Sequence, residues 1–225
     1  MNDEGGIAMQ QHTSGIGPQE LSAGHLRAAD DDRAARSGRG ERFMTPLRRE
    51  VAEAAYAQVL EIGSGTGLNF AFYRLDRVTC VEATEPNAAR LATARPRAAR
   101  ASVPVHLVQA AVEDLPFSDE RFVSAVGTLV FCSVGDPLRG LREVSRVLQL
   151  GGVLLLVEHV RAPGALVATI QTIVTPVTRR LDGNCHLNRN TEQTVRAAGF
   201  VLAYRREVTW LAMPFVVLRA IKQGG

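Results

Sequence analysis

The sequence predicts an α/β fold in which helices cover both faces of a mostly parallel β-sheet. Short aliphatic runs alternate with helical patterns over roughly 100 residues, which is typical of a doubly wound sheet. The runs are apolar at nearly every position, and this indicates strands that are buried on both faces. Two later apolar runs are joined by a turn near Pro214, so we expect an antiparallel hairpin at the edge of the sheet.

Local signals mark the individual elements along the chain. Thr45 followed by Pro46 has the pattern of an N-cap and a first helical residue, and it predicts that the first helix begins there. Gly151 and Gly152 predict the end of the helix that precedes the fifth strand. The predicted strands are residues 59–62, 77–84, 103–109, 122–130 and 153–157, and the hairpin is residues 200–208 and 213–221. The predicted helices are residues 46–58, 68–74, 87–99, 137–148, 165–180 and 191–198.

Composition excludes several classes of protein. The chain has 225 residues, of which 46% are hydrophobic and 22% charged, as expected of a globular protein with a core. Its net charge of +3 comes from scattered arginines, and aromatic residues make up only 5%, so we expect no nucleic-acid partner. Three widely spaced cysteines indicate neither disulfides nor a metal site. Because no signal peptide or membrane anchor is recognisable, we expect a cytoplasmic protein.

The first 40 residues differ in character from the rest of the chain. They are polar and rich in glycine, with little apolar periodicity. We interpret residues 1–40 as a flexible extension, which is either a plain tail or a lid that closes over a bound ligand. Residues 41–225 are interpreted as one domain.

The most informative segment is the glycine-rich turn that follows the first predicted strand. Gly63, Gly65 and Gly67 allow sharp turns and close approach of the backbone to a ligand. A dinucleotide fingerprint would need its third glycine at position 68, which is Leu68. The lysine of a phosphate-binding P-loop is also missing, because Lys222 is the only lysine in the chain.

The spacing Glu61-x-Gly63-x-Gly65-x-Gly67 resembles motif I of the class I S-adenosylmethionine-dependent methyltransferases. The resemblance implies a seven-stranded Rossmann-like sheet with S-adenosylmethionine lying across the carboxyl ends of the strands. It also implies that the three glycines pass under the amino-acid half of the cofactor and that Glu61 orients its amino group. The same resemblance adds Ser64, Asn69 and Thr128 to the predicted cofactor-binding residues.

Two further segments resemble the family's ribose and adenine contacts. Glu85-Pro86-Asn87 resembles the acidic turn that holds the ribose, and Glu82 is the alternative carboxylate. Residues 113–117 resemble the adenine-side segment. The family's frequent Asp is replaced there by Ala111, so we expect either that the Val112 backbone and Glu113 make more of the adenine contacts or that the adenine is held mainly by packing.

The acceptor side resembles one branch of this family, the small-molecule thiol S-methyltransferases. The resemblance is carried by residues 126–134, 158–160 and 182–189. It implies methyl transfer to a thiol of a small, rather apolar molecule, in detoxification or tailoring. A thiol needs only a modest base because part of it is already ionised near neutral pH. His159 is the first candidate base, with Asp182 and His186 as further candidates.

Several alternatives remain open at this point. His159 can equally be a structural residue. Phe131, Ile170, Val174 and Trp210 are candidates for an apolar pocket wall or for ordinary core. An N- or O-methyltransferase of a quinone, a lipid amine or a secondary metabolite would use the same core. A non-catalytic S-adenosylmethionine-binding module and a nicotinamide oxidoreductase are the alternatives from other classes. The sequence predicts no oligomeric state.

Overall fold

The computed structural model of the protein describes residues 38–162, 164–181, 186–211 and 213–224. Residues 1–37 of the predicted extension and the candidate base Asp182 lie outside the described residues. The last two residues of the predicted extension, Arg39 and Gly40, already belong to the first helix.

Within the described residues, seven strands form a single sheet, as the sequence predicts. The strands are β1 (Ala57–Ile62), β2 (Val78–Thr84), β3 (Val105–Val108), β4 (Phe122–Thr128), β5 (Leu148–His159), β6 (Phe200–Trp210) and β7 (Met213–Lys222). Their order across the sheet is β3-β2-β1-β4-β5-β7-β6. Strands β1 to β5 run parallel, whereas β7 pairs antiparallel with both β5 and β6. The predicted mostly parallel sheet with an antiparallel edge hairpin is therefore confirmed.

Helices pack on both faces of this sheet. They are α1 (Arg39–Ala54), α2 (Ala88–Ala98), α3 (Pro137–Val147), α4 (Ala165–Leu181) and α5 (Thr191–Ala197). Helices α1 and α2 share a core with Val126 of β4, and α3 and α5 share another core with the neighbouring Ala125. Adjacent residues of a strand point to opposite faces, so the two cores lie on the two sides of the sheet. None of the helices in the described segments is both long and apolar enough to cross a membrane.

The predicted bounds of the first helix, 46–58, are wrong at both ends. Helix α1 begins seven residues earlier, at Arg39, and Pro46 lies inside it. The hydroxyl of Thr45 donates to the carbonyl of Glu41 one turn back, 2.8 Å away, and caps nothing. An apolar stripe at helical spacing, which includes Met44 and Leu47, is buried along α1, and its burial outweighs the helix-breaking tendency of Pro46.

The predicted helix 68–74 is also wrong. Only a 3-10 turn forms there, at Phe70–Phe72, and Tyr73 is already extended. Asn69 and Tyr73 send their side chains into buried hydrogen bonds with residues of β4 and β1. These contacts between distant parts of the chain override the local helical pattern.

Strand β5 is longer than the predicted 153–157, and the glycine pair lies inside it. The pairing with β4 jumps from Phe122↔Leu148 to Ser124↔Val153, which forms a large bulge. Gly151 takes a φ of +74°, a conformation that glycine adopts without strain. The hairpin turn also differs from the prediction, because it lies at Leu211 and Pro214 already belongs to β7.

We expect Gly152→Ala to lower the free energy of unfolding by about 1–3 kcal/mol through overpacking. A Cβ at Gly152 would lie 2.8 Å from the carbonyl oxygen of Gln149 and 3.2 Å from that of Val123, so the bulge would have to shift. Gly164→Ala is the matched control, since a Cβ there meets no atom within 4 Å. Urea denaturation of both variants checks this, and equal stabilities would contradict the account of the bulge.

Candidate active site at the carboxyl edge of the sheet

The loop after β1 contains the three motif glycines, all with positive φ: 59° at Gly63, 56° at Gly65 and 81° at Gly67. A Cβ at Gly63 would lie 2.9 Å from Val130, and one at Gly67 would lie 2.4 Å from the ring of Phe70. A Cβ at Gly65 would meet no atom of the described residues within 4 Å. The loop therefore packs tightly on the protein at its two ends and faces open space in the middle, where a ligand can approach the backbone.

Ser64 connects this loop to the end of β2. Its amide donates to the carbonyl of Thr84 at 2.8 Å. Its hydroxyl oxygen is buried and has no hydrogen-bond partner among the described residues. A buried hydroxyl in this state fits a loop that receives a polar ligand, since buried polar groups are otherwise almost always paired.

The carboxylate of Glu85 lies beside the open glycine. One oxygen accepts from the amide of Gly65 at 3.1 Å, and the other accepts from the amide of Asn87 at 3.0 Å. A carboxylate offers about four acceptor sites, so two remain for further donors such as a pair of ribose hydroxyls. Glu85 thus lies where the sequence predicts the ribose-binding acid.

The alternative acid, Glu82, has different surroundings. It lies within β2, three residues before Glu85. Its carboxylate accepts from the guanidinium of Arg121 at 2.5 Å and is 3.4 Å from Nδ1 of His106. These contacts pair Glu82 with Arg121 and His106 rather than with an amide of the glycine loop.

The predicted adenine-side residues follow β2 and β3. The carbonyl of Pro86 accepts from the side chain of Gln109 at 3.2 Å, and this joins the two loops. Val112 is buried. The carboxylate of Glu113 accepts from the amide of Gly135 at 3.1 Å and from the next amide at 3.2 Å. Glu113 therefore holds the segment that leads into α3, and its backbone lies beside Val112.

A buried polar network lies at the ends of β1 and β4, on the α1 side of the sheet. Tyr73 donates its hydroxyl to the carboxylate of Glu61 at 2.7 Å. The amide of Asn69 donates to the hydroxyl of Thr128 at 3.1 Å, and its oxygen accepts from Arg48 at 3.3 Å. The structure thus brings together three predicted cofactor residues: Glu61, Asn69 and Thr128.

Burial controls the ionisation of this network. Removal from water raises the pKa of Glu61 to about 7, although the Tyr73 hydrogen bond and the charge of Arg48 oppose the shift. The same burial lowers the pKa of Arg48 and raises that of Tyr73 well above its usual value. Glu61 is therefore a group whose protonation changes near neutral pH.

Arg48 is a site residue that the sequence analysis missed. Its Nε is buried without a hydrogen-bond partner among the described residues, and Glu41 lies 3.8 Å from it. The signal was present in the sequence, because Arg48 falls within the apolar stripe of Met44, Leu47 and Val51 at helical spacing. A charged residue inside such a stripe indicates a buried polar contact.

The loop after β4 is held by a buried carboxylate. β4 ends at Thr128, short of the predicted residue 130, because Leu129 takes a φ of +58°. Glu158 then accepts from three consecutive amides: Val130 at 2.9 Å, Phe131 at 2.9 Å and Cys132 at 3.2 Å. Complete burial raises the pKa of Glu158 to about 7, against the effect of these three hydrogen bonds.

The carbonyls of the same loop are held from the other side. Arg189 donates to the carbonyls of Phe131 and Val134, both at 2.7 Å. The backbone amide of His186 donates to the carbonyl of Cys132 at 2.7 Å, and its ring Nδ1 lies 3.2 Å from the same oxygen. The candidate base His186 thus contacts backbone in this structure.

His159 is the last residue of β5 and, by the alternation of that strand, shares the α1 side with Leu155 and Val157. Its ring centroid lies 4.1 Å from that of Phe215. Thr128 pairs with Val157, so His159 lies just beyond the end of the polar network.

Two of the residues proposed for an apolar wall, Phe131 and Trp210, do not lie together. Phe131 is buried in the core on the α3 side of the sheet, whereas Trp210 stacks on Phe43 of α1. Ile170 and Val174 lie on α4, in a part whose side chains the structure does not describe.

We expect the wild-type free energy of unfolding to fall as the pH rises from about 4.5 to about 7. Burial raises the pKa of Glu61, so the native state binds this proton more tightly than the unfolded chain does. The stabilisation from this bound proton is complete below the pKa that Glu61 has in the unfolded chain. It is lost as the pH rises past the pKa of Glu61 in the native state. Glu61→Gln should make the fall shallower, and urea denaturation at several pH values measures it. Glu53→Gln, at an exposed position on α1, is the control, and a slope that is unchanged in Glu61→Gln would contradict the assignment.

Known proteins resemble this chain in both sequence and fold. A family model described as a methyltransferase domain matches residues 60–156. Thiol S-methyltransferase TMT1B of Rattus norvegicus is 34% identical over 160 residues, which cover 70% of this chain and 64% of the relative. The human TMT1B is 34% identical over 172 residues, which cover 73% of this chain and 70% of the relative. The chain thus spans a little under two thirds of the rat protein's length.

Solved structures agree on the fold. A SAM-dependent methyltransferase from Thermotoga maritima superposes with a TM-score of 0.66 at 22% sequence identity, and the match covers 90% of this chain and 99% of that one. The strand order, the glycine loop after β1 and the sequence similarity agree with one another. The chain belongs to the class I S-adenosylmethionine-dependent methyltransferases.

Proposed function

We propose that the protein transfers a methyl group from S-adenosylmethionine to the thiol of a small, rather apolar molecule. One observation carries the choice of acceptor. The segments that resemble the thiol S-methyltransferase branch are joined in space, because Glu158 and Arg189 bind the same loop, residues 130–134. Val130 of this loop packs against Gly63 of the glycine loop, so the branch-like segments adjoin the cofactor loop.

The residues at the carboxyl edge fit the parts of the cofactor. In this proposal Glu85 binds the ribose hydroxyls with its remaining acceptor sites, next to the open backbone of Gly65. Glu61 lies at the amino-acid end of the cofactor. Arg48 supplies a cation there for its carboxylate, since Nε lacks a hydrogen-bond partner among the described residues. Val112 and Glu113 flank the adenine.

Methyl transfer to a thiol requires little from the protein beyond the positioning of the two reactants. The bound cofactor supplies an electrophilic methyl group on a sulfonium. A thiolate sulfur forms a new bond to that methyl carbon while the carbon–sulfonium bond breaks, and the departing sulfur keeps the electron pair. A thiol with a pKa of about 8.5 is already several per cent ionised near neutral pH. Correct placement of the two sulfur atoms therefore accounts for most of the rate.

His159 is the candidate base that fits best. It lies at the end of β5 beside the buried network, whereas the ring of His186 contacts a backbone carbonyl and Asp182 lies outside the described residues. An imidazole can accept the thiol proton and pass it to water. A small-molecule partner, the absence of a nucleic-acid partner and a cytoplasmic location remain predictions from the sequence.

The function is tested with three acceptors that share one benzyl body: phenylmethanethiol, phenylmethanol and phenylmethanamine. We expect transfer of labelled methyl from S-adenosylmethionine to the thiol alone, above the rate of a reaction without protein. Transfer to the amine or the alcohol would favour the N- or O-methyltransferase alternative. Cofactor binding without transfer to any of them would favour the non-catalytic module.

We expect His159→Phe to lower the thiol methylation rate mainly at acidic pH. The replacement keeps a ring against Phe215 but removes the base. The loss should be about tenfold or more near pH 6.5 and should shrink toward pH 9, where the thiol ionises unaided. A pH–rate profile measures this, with His106→Phe on the exposed side of β3 as the control. An equal loss at every pH would assign His159 a structural role.

A further inference from the structure

Four rings form a continuous series at one end of the sheet, which we call the ring row: Trp210, Phe43, Phe215 and His159. Trp210 and Phe43 are stacked, with centroids 5.6 Å apart and planes at 14°. Phe43 and Phe215 are 5.0 Å apart and tilted by 58°. Phe215 and His159 are 4.1 Å apart. The chain has only 5% aromatic residues and a single tryptophan, so this is a local concentration of aromatic surface.

Strand register places the ring row at the edge that holds the glycine loop. His159, at the end of β5, pairs with Phe215 near the start of the antiparallel β7. Phe215 pairs with Val208, and Trp210 follows two residues later at the end of β6. Thr128, at the end of β4, pairs with Val157 about 5 Å across the sheet, and His159 lies two residues beyond Val157 along β5. The ring row therefore extends from the end of β5, beside the proposed cofactor site, toward the turn of the β6–β7 hairpin.

The row is only partly covered by the described residues. Phe215 is 3% exposed and anchors the row in the core, whereas Phe43 and Trp210 are both half-buried. Half-buried stacked rings present an apolar face, and flat apolar groups pack on such faces favourably. The side chains of Trp210, Phe43 and Phe215 carry no charge.

We propose that the ring row is the acceptor platform and that it selects thiols attached to a flat, apolar body. The proposal rests on the proposed function. It deepens that function by adding Phe43 and Phe215 to the site and by naming the acceptor's shape. The row ends at His159, the candidate base, so an acceptor whose body lies on Trp210 and Phe43 directs its thiol toward the end of β4. Small polar thiols gain nothing from this surface.

The test compares phenylmethanethiol with 2-hydroxyethanethiol. We expect Trp210→Ala and Phe43→Leu to raise the KM for phenylmethanethiol about tenfold, and that for 2-hydroxyethanethiol less than about twofold. Trp210→Phe should restore most of the wild-type difference in KM between the two thiols. The affinity for S-adenosylmethionine should stay unchanged in all variants. Tyr204→Ala is the matched control, because Tyr204 is an exposed aromatic of the same strand outside the row. If Trp210→Ala does not fold, Phe43→Leu still carries the test.

The possible failures are distinguishable. If the wild type methylates phenylmethanethiol and its KM responds no more to Trp210→Ala and Phe43→Leu than to Tyr204→Ala, the platform is overturned and the thiol methyltransferase stands. If the wild type binds S-adenosylmethionine but methylates neither thiol, the proposed function fails and the platform falls with it. If deletion of residues 1–37 lowers this KM while Trp210→Ala leaves it unchanged, the amino-terminal segment occupies the row and the platform is overturned.

Discussion

The hydrogen bond between the Gly65 amide and the Glu85 carboxylate joins the two loops on which the site depends. The loop after β1 must turn with positive φ to leave its backbone open, and a loop of that kind has amides that need partners. Glu85 supplies an acceptor from the end of β2 while keeping lone pairs for a ligand. Glu85, at the end of β2, thus ties the loop after β1 to the loop after β2.

A carboxylate that accepts from backbone amides is also found at the end of β5. Glu158 holds three amides of the loop after β4, and this loop supports the glycine loop through Val130. Burying a carboxylate costs free energy, and three charge-assisted hydrogen bonds offset much of it. On the α1 side, Glu61 is likewise buried and tied to Tyr73. Buried carboxylates at the ends of three strands therefore fix the loops that surround the site. These contacts hold the loops in place even where the backbone is irregular.

Short-range signals in the sequence were sufficient for the fold but not for the side-chain network. Aliphatic runs and glycine spacing predict the parallel strands and the glycine loop because both depend on neighbouring residues. The false helix at 68–74 and the missed Arg48 depend on contacts with residues far away in the chain, which a local pattern does not contain. The pairing of Glu82 with Arg121 is also absent from any local pattern, because the two residues lie 39 positions apart in the chain. The contact of His186 with the Cys132 carbonyl likewise joins residues that lie 54 positions apart.

The most direct test of the account is calorimetric titration of S-adenosylmethionine into the wild type, Glu85→Gln and Glu82→Gln, with folding of each variant verified by thermal unfolding. The account predicts that Glu85→Gln weakens binding by about 1–3 kcal/mol, or roughly fivefold and more, because a carboxylate acceptor is lost. It predicts wild-type affinity for Glu82→Gln, whose carboxylate is paired with Arg121. Wild-type affinity in Glu85→Gln together with weakened binding in Glu82→Gln would contradict it.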